Sequence, residues 1–211
     1  MSTKQTTPAA ERMPLSSVPD LYGAPYAGGH YGGQVKINGI LHAFSWAPKA
    51  LGEIEGIWLP NKKLIKGADS YFDSMANTIA MAEEGSPIAI AALAADINGK
   101  TDWCVPARDL LELGYRNLKP GKAENYTYRS GDNPSSVPAG YPYTEDSPKQ
   151  TGVDAFKAGG TEAFEEDWYH SSTQASRSYA WDQGFYSGYQ HNCFKSFEAR
   201  ARFVRLIQLT T

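Results

Sequence analysis

The sequence contains few of the features that mark common enzymes and nucleic-acid-binding proteins. It has only two cysteines, Cys104 and Cys193, and no CxxC or His-rich spacing accompanies them, so a zinc site has no support. A disulfide between the two is an alternative, but isolated cysteines are more often buried thiols. The net charge is −3, so the chain has no overall electrostatic attraction to nucleic acid.

Long apolar runs are absent as well. The longest, Pro87–Ile97, is too short to cross a bilayer, and the first 23 residues contain no apolar signal-peptide core. These features predict a soluble protein made in a cytoplasm. No heptad pattern is present that would join copies of the chain through a coiled coil. The sequence therefore leaves the oligomeric state open, and a homotrimer is one alternative.

Motifs for catalysis are also scarce. No GxSxG motif is present, and the hydroxyl residues at 171–173 only neighbour His170 in sequence. A nucleophilic hydroxyl needs a base that a third group holds in hydrogen-bond geometry, and sequence adjacency does not provide this. We therefore expect a protein that is not an enzyme.

Composition divides the chain at about residue 33. Residues 1–33 are rich in Thr, Ser, Pro, Ala and Gly and show little apolar periodicity, which predicts an extended or flexible N-terminal arm. The arm is either a disordered tail or a segment that becomes ordered on another subunit, and both readings stay open. Residues 34–211 are predicted to form one domain, large enough to bury a substantial core.

Within this domain, short strands and helices are separated by irregular chain. Asn38-Gly39 lies between apolar residues and predicts a two-residue hairpin turn. Apolar spacing predicts helices over 70–82, 87–97 and 108–117. Short strands are expected at 54–59, 102–106, 179–185 and 202–209. The pattern is that of an α+β domain.

Residues 119–162 form a long polar segment that is rich in Gly and Pro. A loop of this length inside a compact domain is either functional or covers another part of the fold. Its tyrosines predict that it packs on the domain surface; they are Tyr126, Tyr128, Tyr141 and Tyr143.

The last 44 residues, Trp168–Thr211, carry the clearest functional signal. They contain ten of the 26 aromatic residues, set among Ser, Asn, His, Gln and Gly. Tyr and Trp provide rigid contact area at low entropic cost, and Ser, Gly and Asn add adaptable hydrogen bonds, which is typical of a recognition surface. The alternative is a twisted strand pair with alternate rings buried. Residues 186–197 contain more polar and aromatic side chains than one buried face needs, which favours exposure of some rings.

Several motifs in order resemble a known family. TDWCVPARDLLELGYRNLKP is followed by WYHSSTQ, AWDQGF, SGYQ and ARARFVRLI. This series resembles the domain found at the C-terminus of Legionella collagen-like adhesins, over about residues 33–209. With its GDNPSSVPAGYPYT loop, the chain is similar to stand-alone versions encoded by tailed phages and prophages.

The resemblance implies a C-type-lectin-like fold, related to the architecture of formylglycine-generating enzymes, and an adhesive function. Some members resemble variable proteins that phage retroelements diversify, and many residues between 186 and 197 belong to the residue set of such diversified positions. The chain departs from the family where His170 stands in place of a tryptophan. Cys104 and Cys193 match no active-site motif of the formylglycine-generating enzymes, so that activity is not carried over.

These observations divide the C-terminal segment into scaffold and contact residues. Trp103 and Trp181 are expected in the core. The other expected scaffold residues are Phe185, Gly188, Arg202 and Val204. The candidate ligand-binding residues are His170, Arg177, Tyr179, Asp182, Tyr186, Tyr189, His191, Asn192, Phe194 and Phe197. We expect fewer than half of the ten rings to face solvent, and the exposed ones to cluster on one side.

No cofactor is expected. Calcium binding through oxygen ligands is an alternative, with Asp132, Asn133, Glu145 and Asp182 as the candidate ligands. No loop shows an EF-hand-like ligand rhythm, and isolated acidic residues are usually solvated, which favours a protein without metal.

Taken with these features, the resemblance implies a non-enzymatic phage protein located in the virion, displayed on the tail or a fibre. Its partner would be a bacterial surface receptor, either a glycan or a protein, and other virion proteins would hold it; nucleic acid and membrane are not expected partners. One alternative is a structural capsid-decoration or head-fibre protein docked by the N-terminal arm. Another is an accessory prophage protein that is absent from the virion.

Overall fold

The computed structural model of the protein describes residues 11–211 and shows an α+β architecture, with 19% helix and 32% strand. Over these residues, ten strands form two five-stranded sheets, called sheet A and sheet B. The prediction of an α+β fold is therefore confirmed.

Sheet A contains both ends of the described chain. Its strands are β1 (Glu11–Pro14), β2 (Pro25–Tyr26), β3 (Gly29–Ile37), β4 (Ile40–Trp46) and β10 (Val204–Thr210), in the order β1-β10-β4-β3-β2. The predicted hairpin joins β3 to β4, and Asn38 and Gly39 both have positive φ, 50° and 81°. Such a turn matches the right-handed twist of the two strands.

Sheet B contains most of the C-terminal segment. Its strands are β5 (Glu53–Ile57), β6 (Trp168–Gln174), β7 (Tyr179–Gly184), β8 (Gln190–Phe194) and β9 (Glu198–Arg202), in the order β5-β9-β6-β7-β8. β9 and β10 are separated by Phe203 alone, so the chain passes from sheet B to sheet A at that residue. β8 lies at one edge of sheet B, next to β7.

The helices follow the predicted positions closely. They are the single turn α1 (Lys49–Gly52), α2 (Ser74–Glu83), α3 (Pro87–Ala94) and α4 (Arg108–Leu118), with one-turn 3-10 helices at Leu15–Ser17 and Asp154–Phe156. Asp73 caps α2 by accepting from the Ala76 amide at 3.0 Å, and Ser86 caps α3 ahead of Pro87. Among the α-helices of residues 11–211, only the single turn α1 was not predicted.

Two large apolar cores stabilise the fold. The first lies between sheet A, α4 and sheet B and includes Trp46, Leu110 and Phe185. The second packs α2 and α3 against the other elements and includes Trp58 and Trp103. Burial of side chains of this size contributes roughly 1.5–3 kcal/mol each. Trp103 is fully buried, as predicted.

The N-terminal boundary lies earlier than the predicted start at residue 34. β1 pairs in parallel with β10, with Glu11 opposite Ile207, and β3 already begins at Gly29. Tyr26 and Tyr31 belong to a third, smaller apolar cluster with Ile207. Residues 11–33 are thus part of the folded domain, and the first ten residues of the expected arm lie outside the described residues.

Candidate functional site

Five rings from three segments form a continuous patch at one end of sheet B. They are Tyr126, Trp168, Tyr186, Tyr189 and His191, called the aromatic surface below. Trp168 begins β6, His191 belongs to β8, and the two tyrosines at 186 and 189 lie in the β7–β8 turn. The ring centroid of Trp168 lies 5.8 Å from that of Tyr186, 6.0 Å from that of Tyr189 and 5.7 Å from that of His191.

Two glycines make room for these rings. An added Cβ at Gly184 would lie 2.7 Å from the ring of Tyr186, which covers the strand there. Gly188 has a φ of +74°, and a Cβ would lie 2.3 Å from the Tyr115 ring. Residues with side chains rarely adopt this backbone conformation, so the turn that presents Tyr186 and Tyr189 depends on glycine.

Tyr126 is brought to the aromatic surface by the long segment 119–162. Its amide donates to the Ser187 carbonyl at 2.8 Å, and its ring centroid is 4.2 Å from that of Tyr189. The preceding residue, Asn125, is buried, and its Oδ1 accepts from the Tyr115 hydroxyl at 2.7 Å. The long segment therefore packs on the domain, as predicted, and this packing places Tyr126 in the candidate site.

The rest of the long segment is held by buried polar groups of α4. Glu112 is fully buried, and its carboxylate accepts from the Tyr143 hydroxyl at 2.8 Å and from Asn133 Nδ2 at 2.7 Å. Burial raises the pKa of Glu112, and the neighbouring Arg116 guanidinium opposes this effect. Arg116 also donates to the Tyr141 carbonyl at 2.8 Å.

The aromatic surface is partly exposed. Tyr126 and Tyr186 are 40% and 39% exposed, while Trp168, Tyr189 and His191 are half-buried. The rings meet at interplanar angles between 44° and 82°, which are favourable edge-to-face and tilted contacts. Because the rings are already packed on one another, a ligand would bind them with little loss of side-chain entropy.

His170 and Asp182 do not lie at the surface, so their prediction as contact residues is wrong. β6 lies between β7 and β9, and both side chains are 1% exposed. Nδ1 of His170 is 3.1 Å from Asp182 Oδ1, and its Nε2 lies 3.1 Å from the Phe197 carbonyl and 3.2 Å from that of Gly56. The pair therefore satisfies polar groups inside sheet B.

The remaining predicted residues lie elsewhere. Tyr179 and Phe194 are opposite in the β7–β8 register, and their rings stack at 4.7 Å. Asn192 is opposite Trp181, so it shares their face, whereas His191 points to the other face because side chains alternate along a strand. Arg177 and Phe197 are exposed in the turns that follow β6 and β8. The exposed rings are fewer than half, as predicted, but they do not cluster on one side.

Trp181 is the exception among the expected scaffold residues. It is half-buried, whereas Phe185, Gly188, Arg202 and Val204 are buried as predicted. Its ring lies 5.3 Å from the Arg108 guanidinium, which also lies 4.3 Å from the Tyr71 ring. Such cation–π contacts stabilise partly exposed aromatics.

The hydroxyl and carboxylate groups considered for chemistry are occupied by structural contacts. Ser171 Oγ donates to the Trp181 carbonyl at 2.7 Å, and Thr173 Oγ1 donates to the Ser70 carbonyl at 2.8 Å. Two of the residues considered for calcium have other partners, since Asn133 Nδ2 donates to Glu112 and Asp182 Oδ1 lies 3.1 Å from His170 Nδ1. Over residues 11–211, no three His, Cys, Asp or Glu side chains are grouped for shared metal binding. Both cysteines are free thiols.

The aromatic surface could be anticipated only in part. Tyr186, Tyr189 and His191 were among the predicted residues, but Trp168 and Tyr126 were not. Trp168 precedes the motif residue His170 by two positions, and in a strand this spacing places both on one face. Because His170 itself is buried, this spacing does not identify Trp168 as a contact residue, and the sequence holds no clear local signal for it. Tyr126 is more than forty residues away in sequence, and no local pattern connects it to the site.

Comparison with known proteins adds no family assignment. No protein-family model matches the chain, and no curated protein matches it significantly. No helix within residues 11–211 has the length and apolar character needed to span a membrane.

Proposed function

We propose that this chain is a non-enzymatic phage virion protein whose C-type-lectin-like domain attaches to a bacterial surface receptor through the aromatic surface. The observation that carries the proposal is the grouping of five partly exposed rings from β6, β8, the β7–β8 turn and the long segment. An exposed aromatic group of this kind on a folded domain is more typical of a contact surface than of a solvated face.

The chemistry of the aromatic surface suits a ligand with apolar faces and hydroxyl or amide edges. Ring faces of Trp168 and Tyr189 offer apolar contact area, while the tyrosine hydroxyls provide hydrogen-bond donors and acceptors. A sugar ring and a protein side chain both meet this description. Single contacts of this size are weak, so several copies on one particle would raise the overall affinity by avidity.

Replacement of two rings tests the proposal. Virions that carry Tyr186→Ala together with Tyr189→Ala should adsorb to host bacteria at least about tenfold more slowly, because aromatic contact residues commonly contribute more than 1 kcal/mol each. Adsorption is measured as the loss of free infectious particles over time. The matched control is Tyr128→Ala together with Tyr141→Ala, which removes two exposed tyrosines outside the aromatic surface.

Two results would contradict the proposal. One is unchanged adsorption in the Tyr186/Tyr189 variant, with the same amount of folded protein per particle. The other is an equal loss of adsorption in the Tyr128/Tyr141 control variant, which would indicate a general defect of the particle. Immunogold labelling of intact virions is the companion experiment, because labelling of the head rather than the tail would favour the capsid-decoration alternative.

A further inference from the structure

The two edges of sheet B differ in charge. β5 carries Glu53 and Glu55, and both face Arg200, at 3.5 Å and 2.9 Å. β8, with the sequence QHNCF, contains no Lys, Arg, Asp, Glu or Pro. Proteins usually protect exposed strand edges with charges, prolines or bulges, because unpaired backbone groups attract other strands. β8 has none of these protective residues.

The backbone groups of β8 that point away from β7 can be identified from the hydrogen bonds at its two ends. The Gly184 amide donates to the Tyr189 carbonyl at 3.0 Å, and the Lys195 amide donates to the Ser178 carbonyl at 2.9 Å. Antiparallel pairs alternate between bonded and non-bonded residues. Backbone groups of His191 and Cys193 therefore face β7, and those of Gln190, Asn192 and Phe194 face outward.

Part of this outer edge is already occupied. The Gln190 amide donates to Ser130 Oγ at 3.3 Å, and the Phe194 carbonyl accepts from the Phe197 amide at 2.8 Å. Within residues 11–211, the amide and carbonyl of Asn192 have no hydrogen-bond partner, and the Phe194 amide bonds only to the thiol of the adjacent Cys193. Sulfur is a weak acceptor, so the Phe194 amide stays available to a stronger one. Together with the free amide and carbonyl of Asn192, it forms a short open template for an extended chain.

We infer that the receptor of the proposed function is a protein, and that an extended peptide segment of it binds by adding a strand to β8. This inference rests on the proposed function and decides between its two ligand classes. Backbone bonds to Asn192 and Phe194 would supply affinity, and side chains would supply selectivity. Alternate side chains of the peptide would contact His191 on one face, and Phe194 with Tyr179 on the other.

A second copy of this chain does not fit the same edge. In an antiparallel pair of β8 strands centred on Asn192, Gln190 of each copy would lie opposite Phe194 of the other. Ser130 occupies the outward side of Gln190, so full pairing of two copies is blocked. A foreign segment that needs only Asn192 and Phe194 avoids this obstruction.

The experiment uses a random-peptide display library as the probe, selected on the immobilised full-length chain. Enriched peptides should bind the wild-type protein and lose at least about tenfold in affinity to Asn192→Pro, which removes one outward donor. Proline is tolerated on an edge strand when its nitrogen faces outward. Asn192→Ala is the matched control, because it removes the side chain and keeps the backbone amide, and its affinity should stay within about threefold of wild type.

Hydrogen exchange provides a readout that does not depend on a variant folding. Bound peptide should slow amide exchange at Asn192 and Phe194 more than at the inward amides of His191 and Cys193, which already bond to β7. Should Asn192→Pro fail to fold, Asn192→Lys replaces it, since a charge on the edge also opposes strand addition.

Three results would overturn the inference: no enriched peptide, equal binding to wild type and Asn192→Pro, or a wild-type dimer that Asn192→Pro abolishes. None of these contradicts the proposed function, which the Tyr186/Tyr189 adsorption experiment tests separately. A glycan that binds the wild-type protein and the Asn192→Pro variant equally would leave the receptor-binding proposal intact and remove only strand addition.

Discussion

Lys195 is a buried cation whose polar contacts are to neutral groups. Its Nζ donates to the Lys63 carbonyl at 2.8 Å and to Gln174 Oε1 at 3.0 Å, and it lies 4.4 Å from the centre of the Trp58 ring. Over the described residues, no carboxylate lies within salt-bridge distance of it. Burial therefore disfavours the charged form and lowers the pKa of Lys195 to about 8.

This lowered pKa predicts a pH dependence of stability. The pKa of Lys195 is about 8 in the folded state, whereas the ordinary lysine value of 10.5 applies in the unfolded chain. Between these two pH values the unfolded chain binds more protons, so the free energy of unfolding rises with pH. From pH 8 to 10, we expect the free energy of unfolding of Lys195→Met to rise less than that of wild type, by up to about 2–3 kcal/mol. Urea unfolding at several pH values measures the difference. If the free energy of unfolding changed with pH in parallel for the two proteins, the prediction would be wrong.

Single residues also show where sequence reasoning reaches its limit. His170 lies in a segment rich in polar and aromatic residues, which favoured exposure, but its strand is central in sheet B. Trp181 was expected in the core, yet it lies beside Arg108, which is 73 residues earlier in the chain. Both outcomes depend on which strands become neighbours, and local sequence does not contain that information.

At the scale of elements, helices and the first hairpin could be predicted because their signals are local. Helical periodicity, Ser and Asp caps and the Asn-Gly turn all act within a few residues. β6 was missed because its burial does not alternate: it is buried at six of seven positions. A strand buried on both faces shows no polar alternation.

The contact between α4 and the long segment predicts a local effect on stability. Glu112→Gln keeps the shape of the side chain, but it replaces one acceptor oxygen by an amide donor facing Asn133, Arg116 or the Tyr143 hydroxyl. We expect a loss of about 1–3 kcal/mol and faster amide exchange over residues 125–148, with helix content unchanged. Glu124→Gln, an exposed position of the same segment, is the control. Equal exchange in both variants would show that Glu112 does not hold the segment.

At the scale of the whole molecule, the two ends of the described chain stabilise each other. Arg205 of β10 is buried, and its guanidinium donates to Asp102 and to Glu11 of β1 at 2.8 Å each. The hydrogen bond from Arg205 lowers the pKa of Glu11, so this contribution is present above the usual pKa of a glutamate and is lost as the pH falls. Composition suggested an arm here because Gly and Pro are frequent in irregular chain, and it could not reveal a pairing across almost 200 residues.

Truncation tests this arrangement. A chain that starts at Leu15 lacks β1 and should lose about 1–3 kcal/mol relative to one that starts at Glu11, because Arg205 loses a charged partner. A chain that starts at Gln34 also lacks the buried rings of Tyr26 and Tyr31. Loss of each costs on the order of 3–5 kcal/mol, which together approach the whole stability of an ordinary domain. We therefore expect no cooperative urea transition from residues 34–211, whereas a transition with the midpoint of residues 11–211 would show that the early strands are dispensable.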